Sequence, residues 1–362
     1  MSDVLAALSR VIDPEIRRPI TELDMIGPVT VVDGVASVSL KLTIVGCPAA
    51  TRIEADVRAA VLAVPGITGL DLSVGVMSRE ERDALTAKLR GGRARGNQFG
   101  ADSLTRIYAI TSGKGGVGKS SVTANLGVAL AARGLRVGIL DADVFGFSIP
   151  GILGIAGVKP TKVGELILPP VAHDVKVISI GMFVEAGTAV SWRGPMLHRT
   201  IQQFLGDVHF GDLDVLLLDL PPGTGDVAIS VGQLLPQAEV IVVTTPQPAA
   251  AEVAERSALV ARQTGQTVIG VIENMAGLAQ PDGSVVDLFG AGGGTAAAER
   301  LGVPVLASIP LSVALREGGD AGLPVVLSHP ADPAAAAILA VAEQLATRPR
   351  GLAGKPLGLS VT

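Results

Sequence analysis

The chain has 362 residues, of which 48% are hydrophobic, 17% charged and 2% aromatic, and its formal net charge is −5. No apolar run approaches the ~20 residues that span a bilayer, and the first residues lack the pattern of a signal peptide. We therefore expect a cytoplasmic protein that binds no membrane, and this composition also disfavours nucleic-acid binding. The single cysteine, Cys47, excludes an intrachain disulfide and limits a thiolate metal site to one ligand per subunit.

Residues 1–77 have the pattern of a small α+β domain. Two strand-like runs, 29–32 and 35–45, flank an Asp-Gly turn, and apolar and polar residues alternate in the second run. This predicts a β-hairpin with one buried face. Apolar residues then recur every four positions over 53–61, which predicts a helix on the sheet, and 67–76 completes the domain as a strand.

A change in composition separates this domain from the remainder of the chain. The first half of residues 78–103 is polar and could form a solvated helix. The second half is rich in Gly and Arg, which predicts a flexible linker. Residues 104–350 alternate apolar strands with helices, and this pattern predicts an α/β domain whose mostly parallel sheet carries helices on both faces. Residues 351–362 are expected to form a disordered tail. The predicted strands are 107–111, 137–141, 175–180, 215–220, 240–244, 268–272 and 303–309.

The sequence GKGGVGKSS, which starts at Gly113, has the spacing of a phosphate-binding loop. It lies between the predicted strand 107–111 and a predicted helix over 122–133, as that motif requires. Its glycines let backbone N–H groups converge on phosphate oxygens at a helix N-terminus. Lys119 is expected to reach the β- and γ-phosphates, and the Ser120 hydroxyl to bind Mg²⁺. The predicted nucleotide-binding residues are Gly113, Lys114, Gly115, Gly116, Val117, Gly118, Lys119, Ser120, Ser121 and Asn274.

Polar residues end several of the predicted strands, where ligands bind in parallel sheets. Asp143 follows the strand 137–141 and is expected to hold the attacking water or the metal shell, although helix caps and Asx turns use the same residue type. Four aliphatic residues lead into Asp219, a Walker B pattern that predicts contact with Mg²⁺ through water. The following loop, 221–226, is either a sensor of the γ-phosphate or a proline-stiffened turn. Asn274 ends another strand, where an amide can read the adenine edge, a weaker signal.

The sequence KGGVGKS resembles the deviant Walker A loop of the MinD/ParA/Mrp group of P-loop ATPases. In that group the extra lysine, here Lys114, reaches across a nucleotide-sandwich dimer to the partner's phosphates. The residues alone leave a solvated loop lysine equally open. The resemblance implies a homodimeric ATPase that uses ATP and Mg²⁺, with Lys114, Lys119 and Asp143 in catalysis, where Asp143 positions water.

Two N-terminal stretches, DPEIRRPITELDMI and LTIVGCPAA, resemble the MIP18 (DUF59) domain of iron–sulfur maturation proteins. In that family the cysteine, here Cys47, lies near Asp13, Glu15 and Thr43 and is the candidate reactive thiol. From the residues alone, such a cysteine is more often a small buried hydrophobe. At a helix N-terminus its pKa is expected to be lowered, which favours thiolate chemistry.

The stretches DADVFGFSIP, SWRGPMLHRTIQQFL, LDLPPGTGDV, IENM and FGAGGG resemble the Mrp/ApbC branch of iron–sulfur cluster carrier ATPases. The resemblance implies slow ATP hydrolysis in a homodimer that passes an Fe–S cluster to apoprotein clients or assembly proteins. Members of that branch usually carry Cys-x-x-Cys where residues 277–284 read GLAQPDGS. A cluster usually needs four soft ligands, whereas a dimer offers two copies of Cys47, and Asp282 is expected in an ordinary turn. The alternative is a MinD/ParA-like positioning or scaffold ATPase that carries no cluster.

Overall fold

The structure is a computed structural model, and it describes residues 2–91, 96–100, 102–144, 146–184, 194–280, 282 and 284–348. The predicted tail, 351–362, lies outside these residues. The chain forms two compact units, each discontinuous in sequence. Among the described helices, none is long and apolar enough to cross a bilayer. The first unit comprises Met1–Gly96, Lys159–Val171 and Asp207–Gly211, and the second comprises Asn97–Val158, Ala172–Gly206 and Asp212–Thr362.

The first unit contains a three-stranded sheet with the order Ile26–Val32, Val35–Leu42 and Gly69–Val76. The first two strands are antiparallel, as the predicted hairpin requires, and the last two are parallel. Alternate residues of the middle strand are buried, which gives the sheet one core face. The helix Ala50–Leu62 turns its apolar side to this core, and the helix Ser2–Leu8 also contributes buried residues.

The predicted linker 78–103 contains more ordered structure than its composition indicates. A helix, Arg79–Arg90, begins at a capping box in which the Ser78 hydroxyl accepts from the Glu81 N–H and the Glu81 carboxylate accepts from the Ser78 N–H. Leu85 anchors this helix in the core of the first unit. Phe99, which is 1% exposed, belongs to the second unit. A capping box and a few buried side chains therefore order parts of a segment that otherwise has linker composition.

A hairpin from the middle of the chain completes the first unit. It consists of the antiparallel strands Thr161–Val163 and Leu166–Leu168. Val163 and Leu168 are fully buried in the same apolar cluster as the N-terminal residues. The Thr161 hydroxyl donates to Glu15 Oε1 at 3.0 Å, and the Thr86 hydroxyl donates to the Val163 carbonyl at 3.2 Å. The sequence analysis placed these residues in the domain 104–350, because three-residue strands carry too little pattern to be assigned elsewhere.

The second unit is built on an eight-stranded sheet. The first seven strands in the order below pair in parallel with their neighbours, which confirms the predicted fold class. Three inner strands, Val137–Asp141, Val175–Ser179 and Val215–Asp219, are buried along their whole length because helices cover both faces. The order across the sheet is Val305–Ile309, Thr267–Asn274, Glu239–Thr244, Arg106–Ser112, Val215–Asp219, Val137–Asp141, Val175–Ser179 and Val171–Ala172.

The helices of the second unit follow the predicted alternation with strands. A small antiparallel hairpin, Leu278–Ala279 with Val285–Val286, precedes the helix Gly293–Leu301. Short helical turns lie at Ile149–Ile152, Ile180–Phe183 and Val325–Ser328. The other helices are Lys119–Ala132, Gly194–Asp207, Asp226–Leu234, Pro248–Gln263, Val313–Ala321 and Pro333–Thr347.

The strand order brings the predicted site residues to one edge of the sheet. Val215–Asp219 lies between Arg106–Ser112 and Val137–Asp141, with Asp219 in register with Asp141 on one side. Because all three strands are parallel, their carboxyl ends open at the same place. The loop that follows Arg106–Ser112 is the predicted phosphate-binding loop.

Candidate nucleotide-binding site

The loop 113–118 runs from the strand Arg106–Ser112 to the first turn of the helix Lys119–Ala132. Gly118 has φ +80°, and a Cβ atom there would lie 2.2 Å from the amide nitrogen of Asn274. A Cβ atom at Gly113 would lie 2.3 Å from the backbone nitrogen of Ala254. These positions therefore accept only glycine. The loop packs closely against Asn274 and Ala254, and its other face is open at the helix N-terminus.

The open face of this loop borders a cavity of about 380 Å³. Residues 114–121 line it, together with Asp143, Gly146, Ser148 and Pro222. The structure thus brings together nearly all of the predicted nucleotide-binding residues and the candidate water-binding aspartate. Gly113 and Asn274 are outside the lining. Gly146 and Ser148 were not predicted, since nothing in their residue type distinguishes them from an ordinary loop.

Asp219 is fully buried and accepts from three side chains of the phosphate-loop helix. Lys119 Nζ lies 2.7 Å from Asp219 Oδ2, and the Ser120 hydroxyl donates to the same oxygen at 2.5 Å. The Thr123 hydroxyl donates to the other oxygen, Oδ1, at 2.8 Å. The serine hydroxyl and the carboxylate are neighbouring hard oxygen donors, a set that fits Mg²⁺. Thr123 was missed by the sequence analysis because it lies one helical turn beyond the motif.

Asp143 lies beside this group, 7% exposed, with its Oδ2 3.6 Å from Lys119 Nζ. Its backbone N–H donates to Asp141 Oδ1 at 3.1 Å. The Asx-type contact, which the sequence analysis considered for Asp143, is thus made by the side chain of Asp141. The Ser179 hydroxyl donates to Asp141 Oδ2 at 2.9 Å. Burial, and then the charge of Asp219, raise the pKa of Asp141 to about 8.

Asn274 and Lys114 have surroundings that the sequence did not predict. The Asn274 amide nitrogen donates to the Val117 carbonyl at 2.8 Å, so this side chain supports the phosphate loop from beneath. Lys114 is exposed, and its Nζ donates to Gln247 Oε1 at 2.7 Å. Its ammonium is therefore directed along the surface of its own subunit in this structure. The predicted contacts of Asn274 with adenine and of Lys114 with a partner's phosphates stay predictions.

The loop 221–226 lies beside the phosphate loop. The Gly223 N–H donates to the Ser112 carbonyl at 2.7 Å, and the Ser257 hydroxyl lies 3.2 Å from both the Ser112 and the Gly223 carbonyl oxygens. Pro222 lines the cavity. These contacts attach the loop to the last residue of the strand that carries the phosphate loop, the position expected of a γ-phosphate sensor.

The motifs IENM and FGAGGG meet at a helix N-terminus away from the cavity. Glu273 is 6% exposed and accepts from the Gly294 N–H at 2.7 Å. A Cβ atom at Gly294 would lie 2.5 Å from Glu273 Cβ, and one at Gly293 would lie 2.3 Å from the Pro246 carbonyl oxygen. These glycines are therefore required for close packing of the helix Gly293–Leu301.

In the first unit, Cys47 precedes the helix Ala50–Leu62 and is 6% exposed. Burial raises the pKa of its thiol, and the carboxylates of Glu15 and Asp13 raise it further. The Ala49 N–H and the Thr43 hydroxyl favour the thiolate, but their effect is smaller in sum. The pKa lowering that a helix N-terminus predicts is therefore outweighed by burial. In the described parts of the chain, no group of three or more His, Cys, Asp or Glu side chains is arranged to hold a metal ion.

A glycine-rich loop at a helix N-terminus, next to a lysine, a serine and a strand-end aspartate, defines a P-loop nucleotide-binding protein. Family comparison agrees and is more specific. The family described as NUBPL iron-transfer P-loop NTPase matches residues 103–346, and the family described as iron-sulfur cluster assembly protein matches residues 1–72. The chain belongs to the first of these families and carries the second as its N-terminal part, which confirms both resemblances.

Individual relatives support this assignment over different lengths. An iron-sulfur cluster carrier protein of Mycobacterium bovis is 55% identical over 99% of this chain and 96% of its own length. A nucleotide-binding protein from Archaeoglobus fulgidus, solved in complex with ADP, is 38% identical with a TM-score of 0.53, over 60% of this chain and 86% of that one. The septum site-determining protein MinD from Pyrococcus horikoshii, complexed with Mg-ADP, is 27% identical with a TM-score of 0.51, over 67% of this chain and 96% of that one.

Proposed function

We propose that this chain binds ATP with Mg²⁺ and hydrolyses it slowly. The observation that carries the proposal is that Lys119 and Ser120, which line the phosphate-loop cavity, both contact the buried carboxylate of Asp219. When bound, Mg²⁺ would supply positive charge against the β- and γ-phosphates, held by the Ser120 hydroxyl and, through water, by Asp219. Lys119 exchanges its carboxylate partner for phosphate oxygens, and Asp143 holds the attacking water. The relatives solved with ADP and with Mg-ADP support the same assignment.

Phosphate release from ATP by the purified chain tests this proposal. Lys119→Ala removes the only loop cation that touches Asp219, so we expect turnover to fall by about 100-fold or more. Lys159→Ala changes an exposed lysine outside the site and serves as the matched control. Equal turnover in the two variants would exclude this cavity as the site of hydrolysis.

We further propose that the protein works as a homodimer in which Lys114 acts on the partner's nucleotide. Its exposed ammonium, bound only to the neutral side chain of Gln247 among the contacts described, is free to move to a stronger anionic partner. A cation from outside the loop stabilises the charge that spreads over the transferred phosphoryl group.

A mixing experiment tests this arrangement directly. Lys114→Ala and Asp143→Asn homodimers should each be inactive. In a mixed dimer, the site of the Lys114→Ala subunit keeps its own Lys119 and Asp143 and receives Lys114 from the other subunit, so mixing the variants should restore turnover. If Lys114 acts within its own subunit, the mixture remains as inactive as its components.

We propose that the ATPase serves as an iron–sulfur cluster carrier in the cytoplasm, with clusters as cargo that it passes to apoprotein clients or assembly proteins. The mycobacterial relative of that name matches along nearly its whole length, including both units. One cysteine per chain, buried and with a raised pKa, does not provide the four soft ligands of a cluster. The second subunit adds one more Cys47, so the remaining soft ligands must come from the client.

Anaerobic reconstitution with iron and sulfide, followed by absorbance and iron counting, tests the carrier role. We expect a cluster in the wild type and its loss in Cys47→Ala, measured with and without an apoprotein acceptor. If neither protein retains iron while both release phosphate, the chain is an ATPase without cargo, and the positioning or scaffold role is the better assignment.

A further inference from the structure

Ser179 is a fully buried hydroxyl at the carboxyl end of the strand Val175–Ser179, next to the strand that leads to Asp143. It lies in register with Asp141 and donates to Asp141 Oδ2 at 2.9 Å. The second carboxyl oxygen, Asp141 Oδ1, accepts from the Asp143 N–H at 3.1 Å. A single carboxyl group thus links a hydroxyl on one strand to the backbone of the residue that we place on the attacking water.

The turn that follows Ser179 contacts the same segment at a second place. The Gly181 N–H donates to the Ser179 hydroxyl oxygen at 3.1 Å, which uses the acceptor side of that hydroxyl. A Cβ atom at Gly181 would lie 2.5 Å from Cγ of Phe147, so the ring packs directly on this glycine. Phe147 stands between Gly146 and Ser148, both of which line the nucleotide cavity.

From these contacts we infer that Ser179 is a positioning residue for Asp143 and acts through Asp141. The inference rests on the proposed role of Asp143 and adds a support that no motif in the sequence marks. Residues 142–144 and 146–148 lie outside regular helix and strand, so side-chain contacts must help to fix their backbone. The turn 179–181 contacts the segment near both ends, through a hydrogen-bond chain at Asp143 and through ring packing at Phe147.

A support of this kind affects turnover more than binding. Among the described contacts, the Ser179 hydroxyl bonds Asp141 and Gly181 and not the phosphate loop. Asp219 holds Lys119 and Ser120, and Asn274 holds the Val117 carbonyl. Displacement of a catalytic group by about 1 Å costs on the order of 100-fold in rate. Loss of the Ser179 hydroxyl should therefore lower kcat and leave the KM for ATP nearly unchanged.

The test compares several variants of the full chain for phosphate release. Ser179→Ala should lower kcat by about 10- to 100-fold, while Ser179→Thr, which keeps the hydroxyl, should restore most of it. Asp141→Asn retains an acceptor for the Asp143 N–H and should exceed Asp141→Ala in turnover. Gly181→Ala pushes against the Phe147 ring with both hydrogen-bonding partners intact and should also lower kcat.

Ser308→Ala is the matched control, because Ser308 is also a strand serine that hydrogen-bonds a buried carboxylate, that of Glu273, on the opposite side of the sheet. Its kcat should remain at the wild-type value. An equal fall in kcat for Ser179→Ala and Ser308→Ala, or a change confined to the KM, would overturn the inference.

Hydrogen exchange of the peptide 141–148 separates this inference from the proposed function. In Ser179→Ala the amide of Asp143 should exchange faster, because its acceptor is no longer fixed, and Ser308→Ala should leave it unchanged. A wild-type protein that hydrolyses no ATP would remove the proposed function, while faster exchange would still support the positioning role. Unchanged exchange in Ser179→Ala would overturn the role even if turnover fell.

Discussion

At the scale of single residues, the chemistry of Cys47 depends on the balance between burial and local hydrogen bonds. Burial raises the pKa of the thiol, and the Glu15 and Asp13 carboxylates oppose the thiolate as well. A thiol reacts as the thiolate, so alkylation by iodoacetamide should require a higher pH in the folded chain than in the unfolded chain. Mass spectrometry of the alkylated fraction between pH 7 and about 10.5 measures this difference.

Glu15→Gln sharpens this prediction, because the amide removes the charge and keeps an acceptor for the Thr161 hydroxyl. The midpoint of the alkylation profile should move to lower pH. It should stay above the midpoint of the unfolded chain, because burial remains the larger cause of the raised thiol pKa. Glu22→Gln, which removes a carboxylate on the exposed side of the same unit, should leave the profile unchanged. A midpoint at the unfolded value in the wild type would contradict the buried environment.

The residues around the phosphate loop show which parts of the candidate site can be predicted from sequence. Lys119, Ser120 and Asp219 were predicted because a fixed spacing and a strand context define their motifs. Thr123 and Ser179 were not, because their roles depend on which strands are neighbours, and strand order is not encoded in any local pattern. For Asn274 the contact with adenine stays a prediction, and the structure adds a support of the phosphate loop that the sequence did not indicate.

At the scale of elements, a half-buried arginine, Arg106, holds the end of the C-terminal helix Pro333–Thr347. Arg106 Nη1 donates to the carbonyls of Leu345 at 2.7 Å and Ala346 at 2.9 Å. The last carbonyls of a helix have no partners within it, and they carry partial negative charge that a cation stabilises. The arginine therefore attaches this helix to the first residue of the strand that leads into the phosphate loop.

Arg106→Met should lower the free energy of unfolding by about 2–3 kcal/mol, because it removes charge-assisted hydrogen bonds and leaves carbonyls without a partner. Urea denaturation monitored by circular dichroism measures this difference. Arg133→Met removes a half-exposed ion pair with Glu343 of the same helix and should cost less than about 1 kcal/mol. An equal loss of unfolding free energy in the two variants would mean that Arg106 does not anchor the helix.

Strands were predicted correctly where a continuous run of residues is buried. Strands with only a few buried residues were not predicted. The strands Val137–Asp141 and Val215–Asp219 are continuous apolar runs between helices, so their position and parallel direction followed from sequence. The hairpin Thr161–Val163 with Leu166–Leu168 has strands of three residues, too short to show a period. Its place in the first unit depends on two buried side chains and two hydrogen bonds that only the folded chain reveals.

At the scale of the whole molecule, the N-terminal unit is not made by the N-terminal sequence alone. Leu168 is fully buried in the apolar cluster that also contains Cys47, although more than a hundred residues separate them in sequence. The segment 159–171 follows the cavity-lining residue Ile152 closely along the chain. One stretch of chain thus leads from the nucleotide site into the core around the thiol.

Leu168→Ala should therefore destabilise the environment of Cys47, at a cost of about 2–5 kcal/mol for a buried leucine. Because the thiol becomes reactive when its surroundings open, its alkylation at fixed pH should accelerate by about tenfold or more. Leu62→Ala, which truncates a half-exposed leucine of the same unit, is the control and should leave the rate close to that of the wild type. If the two variants react at the same rate, the segment 159–171 is not part of the core that protects Cys47. Faster alkylation in Leu168→Ala alone shows that residues inserted in the ATPase sequence complete the core of the first unit and keep this thiol buried.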